Sequence, residues 1–350
     1  MSGGVRTVAM ISEYLRRRGH TVTVVSIPLR PPRKLIWRIY RSLRRTLFRG
    51  PRQARRHPMF EGTEITHHVI DKVRPIVAAD VPDGDWVIGA WYETTLWCWA
   101  LPAGKGQKAA FFQQYDANFC PDKRDQVDEA WRLPIRRIVN TQWLSDLGQE
   151  RFNTGPLPIV PNGIDTNLFD CAPRRRANPP TLGFMYSPLP VTGMFVLRNA
   201  VARIRAAIPA LRLAAFGAFH ISGECPLPEG CEYHFSPRQE ELRNLYGRCD
   251  VWLCCSESEG FHLPTHEAMA CRCPVVSTKV GGPMDMIEHG RDGFIAPVGN
   301  VEKLAEYVLK VLTMSEADWG ALSEAGYETA RRYTWESSAE LFEKALLKSG

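Results

Sequence analysis

Short β-rich runs alternate with helical stretches along almost the whole of this 350-residue chain: Thr21–Ser26, Ile65–Ile70, Trp86–Ala90, Ala109–Gln113 and Arg137–Thr141, then Leu182–Ser187, Leu211–Gly217, Val251–Ser256, Pro274–Thr278 and Phe294–Pro297. Alternation of this kind specifies parallel sheets joined by crossover helices. The length suits about two domains, each able to bury its own core. A break falls at 171–180, where Cys-Ala-Pro-Arg-Arg-Arg-Ala-Asn-Pro-Pro has little to bury and reads as a linker. The expected organisation is an N-terminal doubly wound domain over 1–170, the linker, a second such domain over 181–333, and a C-terminal helix over 334–350 packing back on the first domain. Ligands of such folds sit at the C-terminal ends of the strands, here in a cleft between the domains.

The net charge of +6 is concentrated in one place. Between Arg30 and Arg56 lie eleven basic residues and no acidic one, so the rest of the chain is net acidic. Within that stretch Leu35, Ile39, Leu43 and Leu47 recur every fourth residue, an apolar stripe on a helix whose other face is arginine. A basic amphipathic insert over 30–57 fits an anionic membrane surface. The plainer alternative packs the stripe on the protein and leaves the arginines solvated. Nothing else in the chain supports nucleic-acid binding. The ten cysteines are scattered, and Cys271 and Cys273 have no second pair at zinc-site spacing, so reduced thiols without a metal are expected. With no signal-peptide pattern and no long apolar run, a cytoplasmic protein is expected, at the periphery of the inner membrane face if the insert binds lipid.

The most informative segment runs from Ser256 through Glu259-Gly260-Phe261-His262-Leu263-Pro264-Thr265-His266-Glu267 to Val276. An apolar strand ends, a glycine loop turns, and Pro264 opens a helix where its missing N–H costs nothing. Glu259 and Glu267 stand eight apart, so both can address a ligand lying across that helix start, whose free amides suit an anion. Upstream, Phe111-Phe112-Gln113-Gln114-Tyr115-Asp116 ends a strand in polar groups facing the same cleft.

These residues resemble the Glu–seven residues–Glu motif of the retaining glycosyltransferases of family 4, which have the GT-B fold. Gly3-Gly4-Val5 with Arg18-Gly19-His20, Pro161-Asn162-Gly163-Ile164-Asp165 and His289-Gly290-Arg291-Asp292-Gly293-Phe294 are similar to further motifs of that family, in the same order. The resemblance implies that Glu267 bonds the ribose of a nucleotide diphosphate sugar and that Glu259 contacts the transferred sugar as a catalytic group. Gly260, Phe261, His262, Leu263 and Thr265 would complete the donor site, with Gly3 and Gly4 approaching the diphosphate from across the cleft. The Gln-x-Tyr-acid run is similar to a signature of one branch of the family. It implies Gln113 and Tyr115 on the acceptor side and Asp116 as the candidate base, the alternative being a strand-end hydrogen-bond network. No cofactor or metal is required on this reading. The partners are the nucleotide sugar and an acceptor glycan, with a lipid-linked glycan as one form.

The chain departs from that pattern where the family places an arginine and a lysine toward the diphosphate. It has Ser187 and Thr192-Gly193 there, with Arg198 as one conceivable substitute. Losing those cations leaves a second reading open, a weak or inactive relative that binds sugar nucleotide or glycan as a partner subunit. A third is an epimerase or hydrolase acting without an acceptor. The start also departs, since a glycine loop at Gly3 should follow a strand central to the first domain's sheet. A first strand is therefore expected to be missing, and the natural chain to begin upstream. Tyr233–Pro237 marks the expected base-selecting region. Asp83-Gly84-Asp85 precedes its strand and reads as a turn, while Trp91, Trp97 and Trp99 read as core ahead of a sugar platform.

Overall fold

The computed structural model describes residues 3–28, 58–60 and 62–347, and the basic insert over 30–57 lies outside them. Helix α1 (Gly3–Arg17) begins at the two glycines, so these residues form a first helical turn rather than a loop. The helix ends because Gly19 takes φ +98°, letting His20 N–H bond back to Leu15 and Gly19 N–H to Arg16, a closure only glycine reaches without strain. Arg16 and Arg17 sit in its last turn, where the helix dipole favours cations.

The described strands of the N-terminal domain form two parallel sheets. One pairs β1 (Thr23–Ser26) with β2 (Thr66–Val69); the other runs β3 (Trp86–Gly89), β4 (Gln107–Phe112), β5 (Arg136–Val139). No strand among the described residues joins the two sheets. His67 is buried and His68 exposed on β2, as alternation along a strand requires.

The C-terminal domain carries a six-stranded parallel sheet ordered β11 (Phe294–Ala296), β10 (Val275–Thr278), β9 (Val251–Cys254), β6 (Thr181–Met185), β7 (Arg212–Gly217), β8 (Cys231–Phe235). Read from β8, this is the 3-2-1-4-5-6 winding, whose switch point lies between β6 and β9. The loops after those two strands, Ser187–Thr192 and Ser256–His262, flank that crevice. The short strand β8 has half-buried and exposed residues only and no long apolar run, so it was not among the expected strands.

The last helix, α11 (Trp335–Leu347), returns to the N-terminal domain. Phe342 meets Phe111 of β4 edge-on with ring centroids 5.2 Å apart, and Arg136 Nη1 donates to the Ala345 carbonyl at 2.7 Å. Glu343 pairs with Arg18 and, at 2.8 Å, with His20 just beyond α1. All ten cysteines are free thiols. Among the described residues no helix is long and apolar enough to cross a membrane, and no cluster of three or more His, Cys, Asp or Glu side chains could hold a metal ion.

Candidate active site

A cavity of about 640 Å³ lies between the two domains, walled by the C-terminal ends of strands from both. From the C-terminal domain come Tyr186 and Ser187 after β6, Phe216 and Gly217 at the end of β7, Ser236 and Pro237 after β8, and Glu259–Pro264 after β9. From the N-terminal domain come Gly3, Gly4 and Arg6 of α1, Gln113, Gln114 and Asp116 after β4, and Asn140 after β5. The walls touch. The Cα of Gly260 packs on the main-chain carbonyl of Gln113, which a Cβ would overlap, and Asn118 Nδ2 donates to Ser258 Oγ at 2.7 Å.

Glu267 sits on α7 (Leu263–Ala270), almost fully buried. Its Oε1 accepts from Arg6 Nη1 across the cleft, and its Oε2 accepts from Tyr246 Oη at 2.8 Å. Tyr246, on α6 (Gln239–Arg248), has its phenol held well above the ordinary range by burial and by the carboxylate beside it. Arg6 lies under the Phe169 ring, 5.4 Å from its centroid.

Glu259 accepts from Ser256 Oγ at 2.8 Å, and desolvation raises its carboxyl above the ordinary value against the opposing pull of His262. His262, the residue before α7, has φ +57°, a left-handed conformation that is strained for any side chain with a Cβ. Its Nδ1 is locked to Thr265 Oγ1 at 2.6 Å, and burial lowers its pKa against the opposing pull of Glu259 and Glu267. On the opposite wall, Asp116 accepts from the Tyr92 amide at 2.9 Å. Burial pushes its carboxyl up to about 7, with the hydrogen bonds from Tyr92 and Gln114 pulling the other way. Gln113 Nε2 donates to the Gly4 carbonyl at 3.2 Å.

Several residues expected here do not reach the cavity. Tyr115 turns into the N-terminal core and donates to Asp128 Oδ1 at 2.6 Å, so it has no access to an acceptor. Thr265 is fully buried behind His262. Gly193, at φ +69°, packs against the Cys255 carbonyl as the start of α5 (Met194–Ala207) and lies off the cavity wall. Arg198, farther along that helix, does not line the cavity either. Thr192 does line it, but its hydroxyl turns back to the carbonyls of Ser187 and Leu189 at 2.9 and 2.7 Å. Of the three tryptophans only Trp91 lines the cavity, and it also packs half-buried against the N-terminal core, while Trp99 is 44% exposed and lies outside any core. Ser236 and Pro237 reach the cavity, whereas Tyr233 donates to the Phe219 carbonyl at 2.5 Å.

Sequence reasoning missed Arg6, Tyr246 and Asn140. A basic residue on the buried face of an amphipathic helix was the one available signal for Arg6, which shares that face with Ala9 and Glu13.

Residues 172–329 match the family model described as Glycosyl transferases group 1. The match falls on the C-terminal domain and spans less than half of the chain. The matched stretch holds Ser187, Glu259 and Glu267, on the cavity's C-terminal wall. The D-inositol 3-phosphate glycosyltransferase of Mycobacteroides abscessus is 30% identical over 236 residues, covering 61% of this chain and 51% of that protein. The N-acetyl-alpha-D-glucosaminyl L-malate synthase of Bacillus anthracis is 35% identical over 82 residues, 23% of this chain and 22% of that protein. The chain thus spans about half the length, or less, of the curated relatives it matches. Among solved structures, a sucrose-phosphate synthase from Thermosynechococcus elongatus superposes with a TM-score of 0.73 at 17% identity, covering 99% of this chain and 93% of that one. Anabaena Alr3699/HepE in complex with UDP and glucose superposes with a TM-score of 0.70 at 16% identity, covering 99% and 96%. These likenesses carry the fold, the GT-B arrangement of two doubly wound domains across a cleft.

Proposed function

We propose that this protein is a glycosyltransferase that moves a sugar, with retention of configuration, from a nucleotide diphosphate donor to a hydroxyl of an acceptor glycan. The observation that carries the reading is the joint placement of Glu259 and Glu267 on the C-terminal wall of one cavity, with Asp116 on the facing wall. Glu267, on the first turns of α7, is placed for the ribose hydroxyls, and Glu259 in the preceding loop for the transferred sugar. Asp116 is the group to take the acceptor proton, since a carboxyl near 7 is half ionised at neutral pH and able both to accept and to release. Catalysis would rest on orientation and on electrostatic help to the departing diphosphate, with no metal required. UDP and UDP-glucose are bound by Anabaena Alr3699/HepE, which supports a nucleotide sugar as the donor class. The 30–57 insert, by its sequence, favours an acceptor assembled at an anionic membrane surface in cell-envelope or exported-polysaccharide synthesis.

The uncharged Ser187 and Thr192 favour a second reading, a partner subunit that binds donor or glycan without turnover. A panel of nucleotide diphosphate sugars, incubated with and without candidate acceptors and followed by mass spectrometry, separates the readings. Donor consumption that needs an acceptor and disappears in Glu259→Gln supports transfer, and the anomeric configuration of the product, read by NMR, tests retention. Consumption without acceptor points to hydrolysis or epimerisation, and donor binding without consumption to the subunit role.

A further inference from the structure

A nucleoside diphosphate would carry at least two negative charges into a cavity already walled by Asp116, Glu259 and Glu267. Ser187 and Thr192 bring no charge to offset them, Thr192 spends its hydroxyl on its own turn, and Arg198 lies off the wall. Among the described residues, Arg6 is the one arginine or lysine that lines the cavity. It stands one turn into α1 from Gly3 and Gly4, which line the same space.

The guanidinium is only partly engaged. Nη1 pairs with Glu267 and the plane rests on Phe169, while Nε is buried with no hydrogen-bond partner. A buried charged N–H without an acceptor is costly, and an anionic oxygen answers it better than a neutral one. Two other buried side chains on the wall, Asn140 and Asn162, each have an unpartnered Oδ1. Three residues of the wall thus carry an unsatisfied polar atom, one a charged donor and two neutral acceptors, as suits a phosphate joined to hydroxyl-bearing sugar.

We propose that Arg6 is the cation of the donor site, taking a phosphate oxygen of the nucleotide diphosphate with the part of its guanidinium that faces the cavity while Nη1 stays on Glu267. The inference rests on the proposed donor reading and adds to it the residue that replaces the missing charges. It also places that cation on the N-terminal domain, so phosphate binding and cleft closure draw on one side chain.

Calorimetric titration of the full chain with UDP, GDP, ADP and dTDP, and with the matching nucleosides, tests it in wild type, Arg6→Gln and Arg6→Lys. For the diphosphate that wild type binds, Arg6→Gln should weaken affinity about tenfold or more. Affinity for its nucleoside should change by less than about threefold. Arg6→Lys should recover part of the loss, and the fall of affinity with added KCl should be shallower in Arg6→Gln. Glu267→Gln removes the competing carboxylate, so inorganic pyrophosphate should bind it more tightly than it binds wild type. Unchanged diphosphate affinity in Arg6→Gln overturns the inference. So does an equal loss for nucleoside and diphosphate, which would make Arg6 a support for Glu267 alone, or a weaker grip on pyrophosphate in Glu267→Gln. A wild type that binds none of the four diphosphates defeats the donor reading itself, an outcome distinct from a wild type that binds and an Arg6 variant that binds equally well.

Discussion

Tyr246 Oη donates to Glu267 Oε2 at 2.8 Å while Arg6 takes the other oxygen, so one carboxylate is gripped from both domains. Neither oxygen is exhausted, because each carboxylate oxygen has a second lone pair for a ligand hydroxyl. The grip fixes the direction in which those lone pairs point. Tyr246→Phe keeps the ring that packs between Phe216 and Trp252 and removes only the donor. A buried hydrogen bond to a charged group contributes roughly 1.5–3 kcal/mol, and denaturant unfolding of the variant should show a loss of that size.

The same cleft should impose a pH profile through Asp116. Its carboxyl sits at about 7 in the folded chain against an ordinary 3.8, with burial as the main cause. A proton acceptor must be ionised, so turnover should rise with pH through a midpoint near 7 and that limb should vanish in Asp116→Asn. Stability runs the other way. A carboxyl whose folded value is raised favours the folded state fully below its unfolded value and loses that contribution as pH climbs toward the folded one. Thermal unfolding of Asp116→Asn relative to wild type should therefore gain between about pH 4 and pH 8.

Gly260 marks where the two walls meet. Its missing side chain lets the donor loop lie directly on the Gln113 carbonyl, and that loop in turn is covered by Gly281 and Gly282, whose own Cβ atoms would overlap Gly260 and Phe261. Gly260→Ala must push the domains apart or distort the loop carrying Glu259. The expected cost is about 1–3 kcal/mol, as for overpacking elsewhere. Small-angle scattering should report a larger radius of gyration, and turnover should drop with little change in secondary structure by circular dichroism.

Much of this architecture was legible because local pattern and global fold agree. The run Leu182–Ser187 anticipates β6 to within two residues, and Pro264 opens α7 where a missing N–H is harmless. Legibility stopped where a side chain's role depends on a distant partner. Arg6 lies on the face of α1 that the sequence pattern buries, but its role emerges only when Glu267, 261 residues away, is placed beside it. Tyr115 shares strand parity with Gln113, but β4 ends at Phe112, and the chain beyond turns its ring toward Asp128. Gly193 looked like part of a phosphate loop, yet its left-handed backbone serves the contact with Cys255. Glycine spacing alone cannot separate these two uses.

The final helix offers a test of how the domains are tied. Although α11 follows the C-terminal domain in sequence, its buried Phe342 packs on Phe111 in the N-terminal domain, two residues before the cavity-lining Gln113. Glu343 adds partly exposed pairs to Arg18 and His20, and such pairs contribute little in water. The attachment is therefore mainly apolar. Phe342→Ala should cost about 3–5 kcal/mol, whereas Glu343→Ala should cost no more than about 1 kcal/mol. In the Phe342 variant, limited proteolysis should cut first near Thr334, where α11 leaves the C-terminal domain, and donor affinity should decline as Gln113 loses the support behind its strand. If the helix instead stays protease-resistant in Phe342→Ala and is released in Glu343→Ala, the charged pairs rather than the apolar seam hold the domains together.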